Sequence, residues 1–348
     1  MARKPGDGDM RAYVWKNTDV AEVQDMPVPV PEKDQALIRV GVGGICGSDL
    51  TIISGKHPRA KAPLILGHEF MGRVERLPEA YSGALRPGQR VTVEPLLACG
   101  TCRPCRGGNR HVCRNLRLLG VETHGGFAEF AAAPVNKVFP LADSVSDREG
   151  AMIEPLAVAV HGVDAGKPSP GDSIVVFGAG PIGLLCALVA RTWGDHRVLL
   201  FERDGERIAR ARNLGLEVVD SSAADPVEAV MDFTGGEGAD VTIDAAGVPA
   251  VGSLLIPVTG IKGRIVVVAL HKSPCEVFFR QLSYGEQTIL GTRIYAAGDF
   301  ARALRLVEEK RIDLSGINSH SFPWSGIQEA FRVARDPSAS CKVLVELP

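Results

Sequence analysis

Four cysteines in one short segment constrain this chain more than any other feature: Cys99-Gly-Thr-Cys102-Arg-Pro-Cys105, then Cys113 after seven intervening residues. Zn²⁺ takes four thiolates at about 2.3 Å in a tetrahedron, and a closed all-cysteine shell is a structural site. Two-residue gaps let the backbone fold back so that neighbouring sulfurs converge. Gly100, Pro104, Gly107 and Gly108 supply the turns this requires. Disulfides fit badly, because eight cysteines in 348 residues are not a disulfide-dense composition. An iron–sulfur cluster is the other rival. The spacing favours zinc.

A different constellation surrounds this lobe. Gly44-Ile-Cys46-Gly-Ser48-Asp49 and Gly67-His68-Glu69 precede it, and Glu154-Pro155-Leu-Ala follows it. One thiolate, one imidazole and carboxylates form a mixed shell, the kind that leaves a coordination position open in catalytic zinc sites. Asp49 is close enough to Cys46 in sequence to orient His68.

The third constellation is Ser173-Ile-Val-Val-Phe177 running into Gly178-Ala-Gly180-Pro181-Ile182-Gly183 and an apolar helix. A second apolar strand, Val198–Phe201, ends on Glu202, nineteen residues after Gly183. Strand, G-x-G-x-x-G, helix and acid in this order describe a dinucleotide site. The glycines permit close approach to a pyrophosphate at the helix N-terminus, and Glu202 can accept hydrogen bonds from the ribose.

Catalytic shell, four-cysteine lobe and dinucleotide motif, in this order, resemble the zinc-dependent medium-chain alcohol dehydrogenases, from about Met10 to the end of the chain. Within that family the chain looks closest to the polyol (sorbitol), butanediol and threonine dehydrogenase branch. The resemblance implies that Cys46, His68 and Glu69 hold a catalytic zinc, with Glu154 a fourth ligand or the partner of a zinc-bound water. It implies a second, structural zinc on Cys99, Cys102, Cys105 and Cys113. Ser48 would pass on the substrate proton, and Ile182, Glu202 and Arg207 would hold the nicotinamide dinucleotide. The expected fold is α/β, a GroES-like mostly-β catalytic domain plus a Rossmann doubly wound parallel sheet. The expected assembly is a homo-oligomer, tetramer or dimer, joined through the C-terminal part of the cofactor domain. The pattern departs at Thr51, where many members carry the histidine that ends the proton relay; His57 is a possible substitute. Arg203, directly after Glu202, keeps NADP as an alternative to NAD.

Composition sets outer bounds. The length favours two domains, and 45% apolar residues allow substantial cores. A net charge of −2 offers no basic footprint for nucleic acid, against a zinc-ribbon binder. No apolar run reaches the roughly 20 residues that span a bilayer. The first nine residues, Met1–Asp9, read as a disordered tail without the apolar region of a signal peptide. Free thiols and zinc ligands suit a reducing cytoplasm.

The organisation follows. Residues 10–160 are expected to form the catalytic domain, with the zinc lobe at about 95–115, 161–295 the dinucleotide domain, and 296–348 a return to the catalytic domain. Strands are expected at Ala36–Val42, Gly72–Arg76 and Arg90–Val93, and a helix at Gly150–His161. Parallel strands are expected at Ile174–Phe177, Val198–Phe201, Val241–Asp244 and Arg264–Leu270, with a helix at Arg203–Leu214. A helix over Phe300–Lys310 and a strand over Cys341–Glu346 close the chain. Ligands of such sheets bind beyond the strand C-termini, which places Asp244–Gly247 and Ala269-Leu270-His271 at the cofactor cleft. Arg293 is assigned to the cofactor, and with Tyr295, Lys56 and His57 offers polar contacts to a substrate. The expected reaction is NAD-dependent oxidation of a small secondary alcohol (polyol, diol, cyclitol or hydroxy acid) to a ketone. An NADP-dependent reductase of the same architecture is the alternative.

Overall fold

The computed structural model describes residues 8–348. The first strand is Asp9–Asn17, so the chain becomes regular one residue earlier than expected. The rest of the expected tail, residues 1–7, lies outside the described residues.

The β-rich part is built on a seven-stranded sheet. Its central strand, Gln35–Ile45, pairs antiparallel with Glu69–Arg76, Phe130–Pro134 and the C-terminal Lys342–Glu346. The chain's end therefore returns to the sheet that Gln35–Ile45 began, while the first strand, Asp9–Asn17, lies in a separate three-stranded sheet. Gly72 permits one close crossing: a Cβ there would lie 2.2 Å from the Arg39 carbonyl oxygen.

The second unit is a six-stranded parallel sheet. Its spatial order is Glu217–Asp220, Arg197–Glu202, Ser173–Phe177, Ala239–Asp244, Thr259–Val267 and Thr288–Gly291. That is the 3-2-1-4-5-6 order of the dinucleotide fold. Every residue of Ser173–Phe177 is buried. Ile174 and Val176 enter the large core shared with the helices, while Val175 and Phe177 enter the core on the opposite face. Continuous apolar runs are what a parallel strand covered on both faces requires.

Two helices connect the units. Ile153–Ala165 leads into the parallel sheet and Asp299–Glu308 leads back, and they pack on each other. The single helix expected over 150–161 is two, Asp147–Ala151 and Ile153–Ala165, broken at Met152. The strand expected to reach Leu270 stops at Val267, because the amides of Val268 and Ala269 both turn to the Asp244 carbonyl. Among the described residues no helix is long and apolar enough to cross a membrane.

Candidate active site

The site begins where the central strand of the β-rich sheet ends. Cys46 follows Gln35–Ile45 directly and precedes the short helix Gly47–Ile53. Glu69 opens the neighbouring strand, Glu69–Arg76, where it pairs with Gly44, and His68 immediately precedes it. That glycine is required by space: a Cβ at 44 would stand 2.4 Å from Glu69 Oε2. Gly67 has φ +92°, and a side chain there would strike the Phe127 ring at 2.7 Å.

One potential ligand atom each from Cys46, His68 and Glu69 lies within 4.8 Å of the others. Ser48 Oγ donates to Cys46 Sγ at 3.2 Å and stands 3.5 Å from His68 Nε2. Glu154 lies outside this three-residue group. It is buried on the first turn of the second connecting-helix segment, Ile153–Ala165. Burial pushes its carboxyl up to about 7, helped by the charge of Glu69 and opposed by His68.

Asp49 does not orient His68 by a hydrogen bond. The two are 3.8 Å apart, and His68 Nδ1 has no partner. The Asp49 carboxylate instead accepts from the amides of Cys46 (2.9 Å) and Gly67 (3.3 Å). It thereby ties the two ligand-bearing turns together.

Sequence reasoning missed Lys342. Its Nζ donates to both oxygens of Glu69, at 2.8 and 2.7 Å, and to the Ile45 carbonyl at 3.2 Å. Both side chains are almost wholly buried. The available signal was a lysine inside the apolar run Cys341-Lys-Val-Leu-Val, since a lysine is almost never fully buried unless paired.

The residues present fit a bound cation. Half-buried Cys46 and the buried Asp49, Glu69 and Glu154 gather with the Lys342 ammonium beside Glu69. Burial opposes a charge on His68, yet the Cys46 thiolate and Asp49 hold its imidazole well above the usual range. A divalent ion would supply that missing positive charge. Thiolate, imidazole and carboxylate are zinc donors.

The four lobe cysteines also converge, with Sγ atoms within 4.8 Å of one another. Measured pairs are 3.4 Å (Cys102–Cys105), 3.8 Å (Cys102–Cys113) and 3.4 Å (Cys113–Cys99). A disulfide needs about 2.05 Å, whereas sulfurs about 2.3 Å from a common tetrahedral centre are separated by about 3.8 Å. The observed distances match the second geometry.

At the parallel sheet, Gly178 has φ +97° and abuts Ala246 across the point where strand order reverses. A Cβ on Gly183 would fall 1.8 Å from the Gly178 carbonyl oxygen, whereas Gly180 faces open space. Gly180 caps the helix Pro181–Thr192. This leaves a bare helix N-terminus, a ready site for phosphate.

Glu202 ends its strand, buried. Its carboxylate accepts from the amides of Ala179 (2.8 Å), Arg203 (2.8 Å) and Asp204 (3.2 Å). Its oxygens thus also brace the glycine-rich loop. Arg207 is occupied as well, with Nη1 3.5 Å from Glu202 and Nε donating to the Pro337 carbonyl. The Arg203 side chain is exposed, as are Leu270 and Arg293.

Thr51, at the departure from the relay pattern, donates its Oγ1 hydroxyl to the Gly47 carbonyl at 2.9 Å. His57, its suggested substitute, accepts at Nδ1 from the amides of Arg59 and Ala60, and Lys56, a suggested substrate contact, is exposed. Tyr295, by contrast, is fully buried. Its phenol and the Glu154 carboxyl stand near enough to influence each other, but Oη makes no hydrogen bond of acceptable geometry. Burial, then Glu154, pushes that phenol well above its ordinary value.

Comparison with known proteins agrees with this geometry. Residues 32–143 match the alcohol dehydrogenase GroES-like domain, and residues 181–309 match the zinc-binding dehydrogenase family. The chain is 35% identical to the 2-dehydro-3-deoxy-L-galactonate 5-dehydrogenase of Pseudoalteromonas atlantica, over 91% of this chain and 92% of that one. An alcohol dehydrogenase from Escherichia coli CFT073, complexed with NADH, superposes with a TM-score of 0.91 at 29% identity, covering 97% of this chain and 99% of that one. A zinc-binding dehydrogenase from Sinorhizobium meliloti, bound to NADP, gives a TM-score of 0.91 at 31% identity, covering 98% and 100%.

Proposed function

This chain belongs to the zinc-dependent medium-chain alcohol dehydrogenases, and from that premise we propose that it oxidises a secondary alcohol on a polyhydroxylated carbon chain to a ketone, with NAD⁺ as hydride acceptor. The observation that carries the reading is the meeting of Cys46, His68 and Glu69 in a chain that also bears a bare glycine-rich helix N-terminus. Cys46, His68 and Glu69 would hold one zinc, with Glu154 a fourth ligand or the partner of a water. The four lobe cysteines would hold the other.

Bound zinc supplies Lewis acidity, which lowers the pKa of the substrate hydroxyl. The protein does the rest. Ser48 Oγ, held between Cys46 Sγ and His68 Nε2, takes the hydroxyl proton. Thr51 donates to the Gly47 carbonyl and His57 accepts two backbone amides at Nδ1, and in this reading water carries the proton onward from Ser48. The dinucleotide, which the Gly178–Gly183 turn and Glu202 would hold, would serve as hydride acceptor, so that the overall balance would be a ketone, NADH and one proton. Tyr295, whose hydroxyl stands beside the Glu154 carboxyl without a hydrogen bond of good geometry, offers that hydroxyl to a polar group of the substrate.

The relative from P. atlantica acts, by its name, on a hydroxylated sugar acid. Polyols and sugar acids are therefore the class to test first. The deciding experiment screens NAD⁺ and NADP⁺ reduction against sorbitol, L-galactonate, 2,3-butanediol, cyclitols and L-threonine. Turnover of simple aliphatic alcohols alone would defeat the polyol reading.

Glu202 is the basis for preferring NAD. A hydrogen bond to a charged group contributes about 1.5–3 kcal/mol, roughly ten- to a hundredfold in affinity. A 2′-phosphate would set negative charge against the same carboxylate, while the exposed Arg203 can turn to solvent. Glu202→Ala should lower kcat/KM for NAD⁺ and raise it for NADP⁺ relative to NAD⁺. A parent enzyme that already prefers NADP⁺ would show that Arg203 governs the site.

The same reading includes a homo-oligomer. Thr288–Gly291 is the edge strand of the parallel sheet, paired on one side only among the described residues, and Ile289, Phe278, Phe279 and Tyr284 are exposed in and just before it in the chain. An apolar edge of this kind calls for a partner. Tyr284→Lys should shift the mass measured by light scattering toward the monomer. An unchanged mass would move the interface elsewhere.

A further inference from the structure

We propose that Asp299 and His161 form a bracket that positions Tyr295 against Glu154, and so sets the substrate end of the active site. The inference rests on the reading of Tyr295 as a substrate contact.

One oxygen, Asp299 Oδ2, makes both arms of the bracket. It lies 2.9 Å from His161 Nδ1 and accepts from the Ala296 amide at 2.9 Å. His161 is on the helix that carries Glu154, seven residues on. That is about two turns, so the two side chains share a face. Ala296 directly follows Tyr295. The carboxylate therefore joins the backbone of Tyr295 to the helix of Glu154, with both neighbours of the site held from one point.

The segment needs such support. Ile294 has φ +55°, a conformation disfavoured for a β-branched residue. Strain of this kind persists only where its surroundings impose it, and it clusters at functional sites. Phe300, next to Asp299, packs its ring 5.9 Å from that of Tyr295. Arg302 braces the other carboxylate oxygen at 3.5 Å and also pairs with Asp164 at 3.2 Å. On its far side the His161 ring meets His111 of the cysteine lobe edge-on, at 5.1 Å between centroids. The Asp299 carboxylate is nearly buried and the His161 imidazole largely so, yet the bracket's output is the placement of a single phenol beside Glu154. Asp299 is thus a positioning residue, acting through Tyr295.

The test is a double-mutant cycle on the full enzyme, with L-galactonate and sorbitol as probes. Amide exchange of residues 293–297 is followed by mass spectrometry on the same samples. Asp299→Ala should speed exchange of that segment by roughly tenfold or more. It should also lower kcat/KM for the alcohol roughly tenfold, the size of one lost hydrogen bond, and leave the KM for NAD⁺ within about twofold. In a Tyr295→Phe background the same change should cost less than about twofold, because the group being positioned is gone. Asp299→Asn, which keeps one oxygen for Ala296, should recover most of the loss. His161→Leu removes one arm only and supplies the same cycle if Asp299→Ala does not fold. Equal losses with Tyr295 present and in the Tyr295→Phe background, or unchanged exchange at 293–297, would overturn the bracket while sparing the reading of Tyr295. If Tyr295→Phe by itself changes nothing, that reading fails and the bracket falls with it.

Discussion

Lys342→Met is expected to cost about 3–5 kcal/mol of stability, the range for removing one partner of a buried ion pair. The side chains of Lys342 and Glu69 are 4% and 1% exposed, so water cannot replace the lost charge. The same pair on a surface would contribute about 1 kcal/mol or less. Glu69 would lose the ammonium that takes both of its oxygens, in a site where Cys46 and Glu154 lie close by. The loss should therefore be larger after metal chelation than with zinc present, since a bound cation partly stands in for the ammonium. Lys342→Met combined with Glu69→Gln should recover much of the stability, because replacing both charges of a buried pair is often near neutral. Denaturant unfolding of the three variants, with and without chelator, measures this. A loss under about 1 kcal/mol in Lys342→Met would mean that the pair is solvated.

Cys46→Ala and Cys105→Ser should separate the two metal sites. Each variant is expected to contain one zinc by elemental analysis where the parent contains two. Cys46→Ala should keep its thermal midpoint near that of the parent and lose roughly 10³-fold or more in kcat. Lewis-acid stabilisation is worth several kcal/mol, and each 1.36 kcal/mol is tenfold in rate. Cys105→Ser should do the reverse, because a closed structural site contributes folding free energy. The Cys105 thiol is buried among the other three sulfurs, and burial already pushes it up to about 12. Deprotonating it without a metal is unfavourable, so metal and fold are coupled at this lobe. Equal heat resistance of parent and Cys105→Ser would refute a structural role. One metal in the parent, unchanged by Cys46→Ala, would refute the catalytic site.

What could be read from the chain alone has a common character: it depends on residues near one another in sequence. The four lobe cysteines lie within fifteen residues, so their spacing already limits how their sulfurs can meet. Gly178, Gly180 and Gly183 act within one strand–turn–helix unit, and the close contact between Gly183 and Gly178 is a local constraint. The parallel sheet was legible because strands buried on both faces are continuously apolar, as in Ser173–Phe177. The ends of elements were less so. Strand Thr259–Val267 stops short of Leu270 through backbone hydrogen bonds to Asp244, which no local pattern announces.

The remainder was decided by tertiary structure, because it depends on charges and spaces contributed from far along the chain. Lys342 meets Glu69 across 273 positions, only because the last strand pairs with the central one. Asp49, apparently placed to orient His68, is drawn instead to two unpaired amides, which a buried carboxylate must find. His57 carries a group suited to a proton relay, but two turn amides take its Nδ1, and Thr51, where the relay histidine is absent, turns its hydroxyl to a helix carbonyl. Asp299 reaches His161 across 138 positions. The sequence alone determined which chemistries were available, since those follow from residue type and short spacing. Which groups remain free to perform them was determined by folding, because burial obliges each polar atom to find a partner, and Tyr295 Oη, beside Glu154 but without a hydrogen bond of good geometry, is one the fold leaves incompletely satisfied.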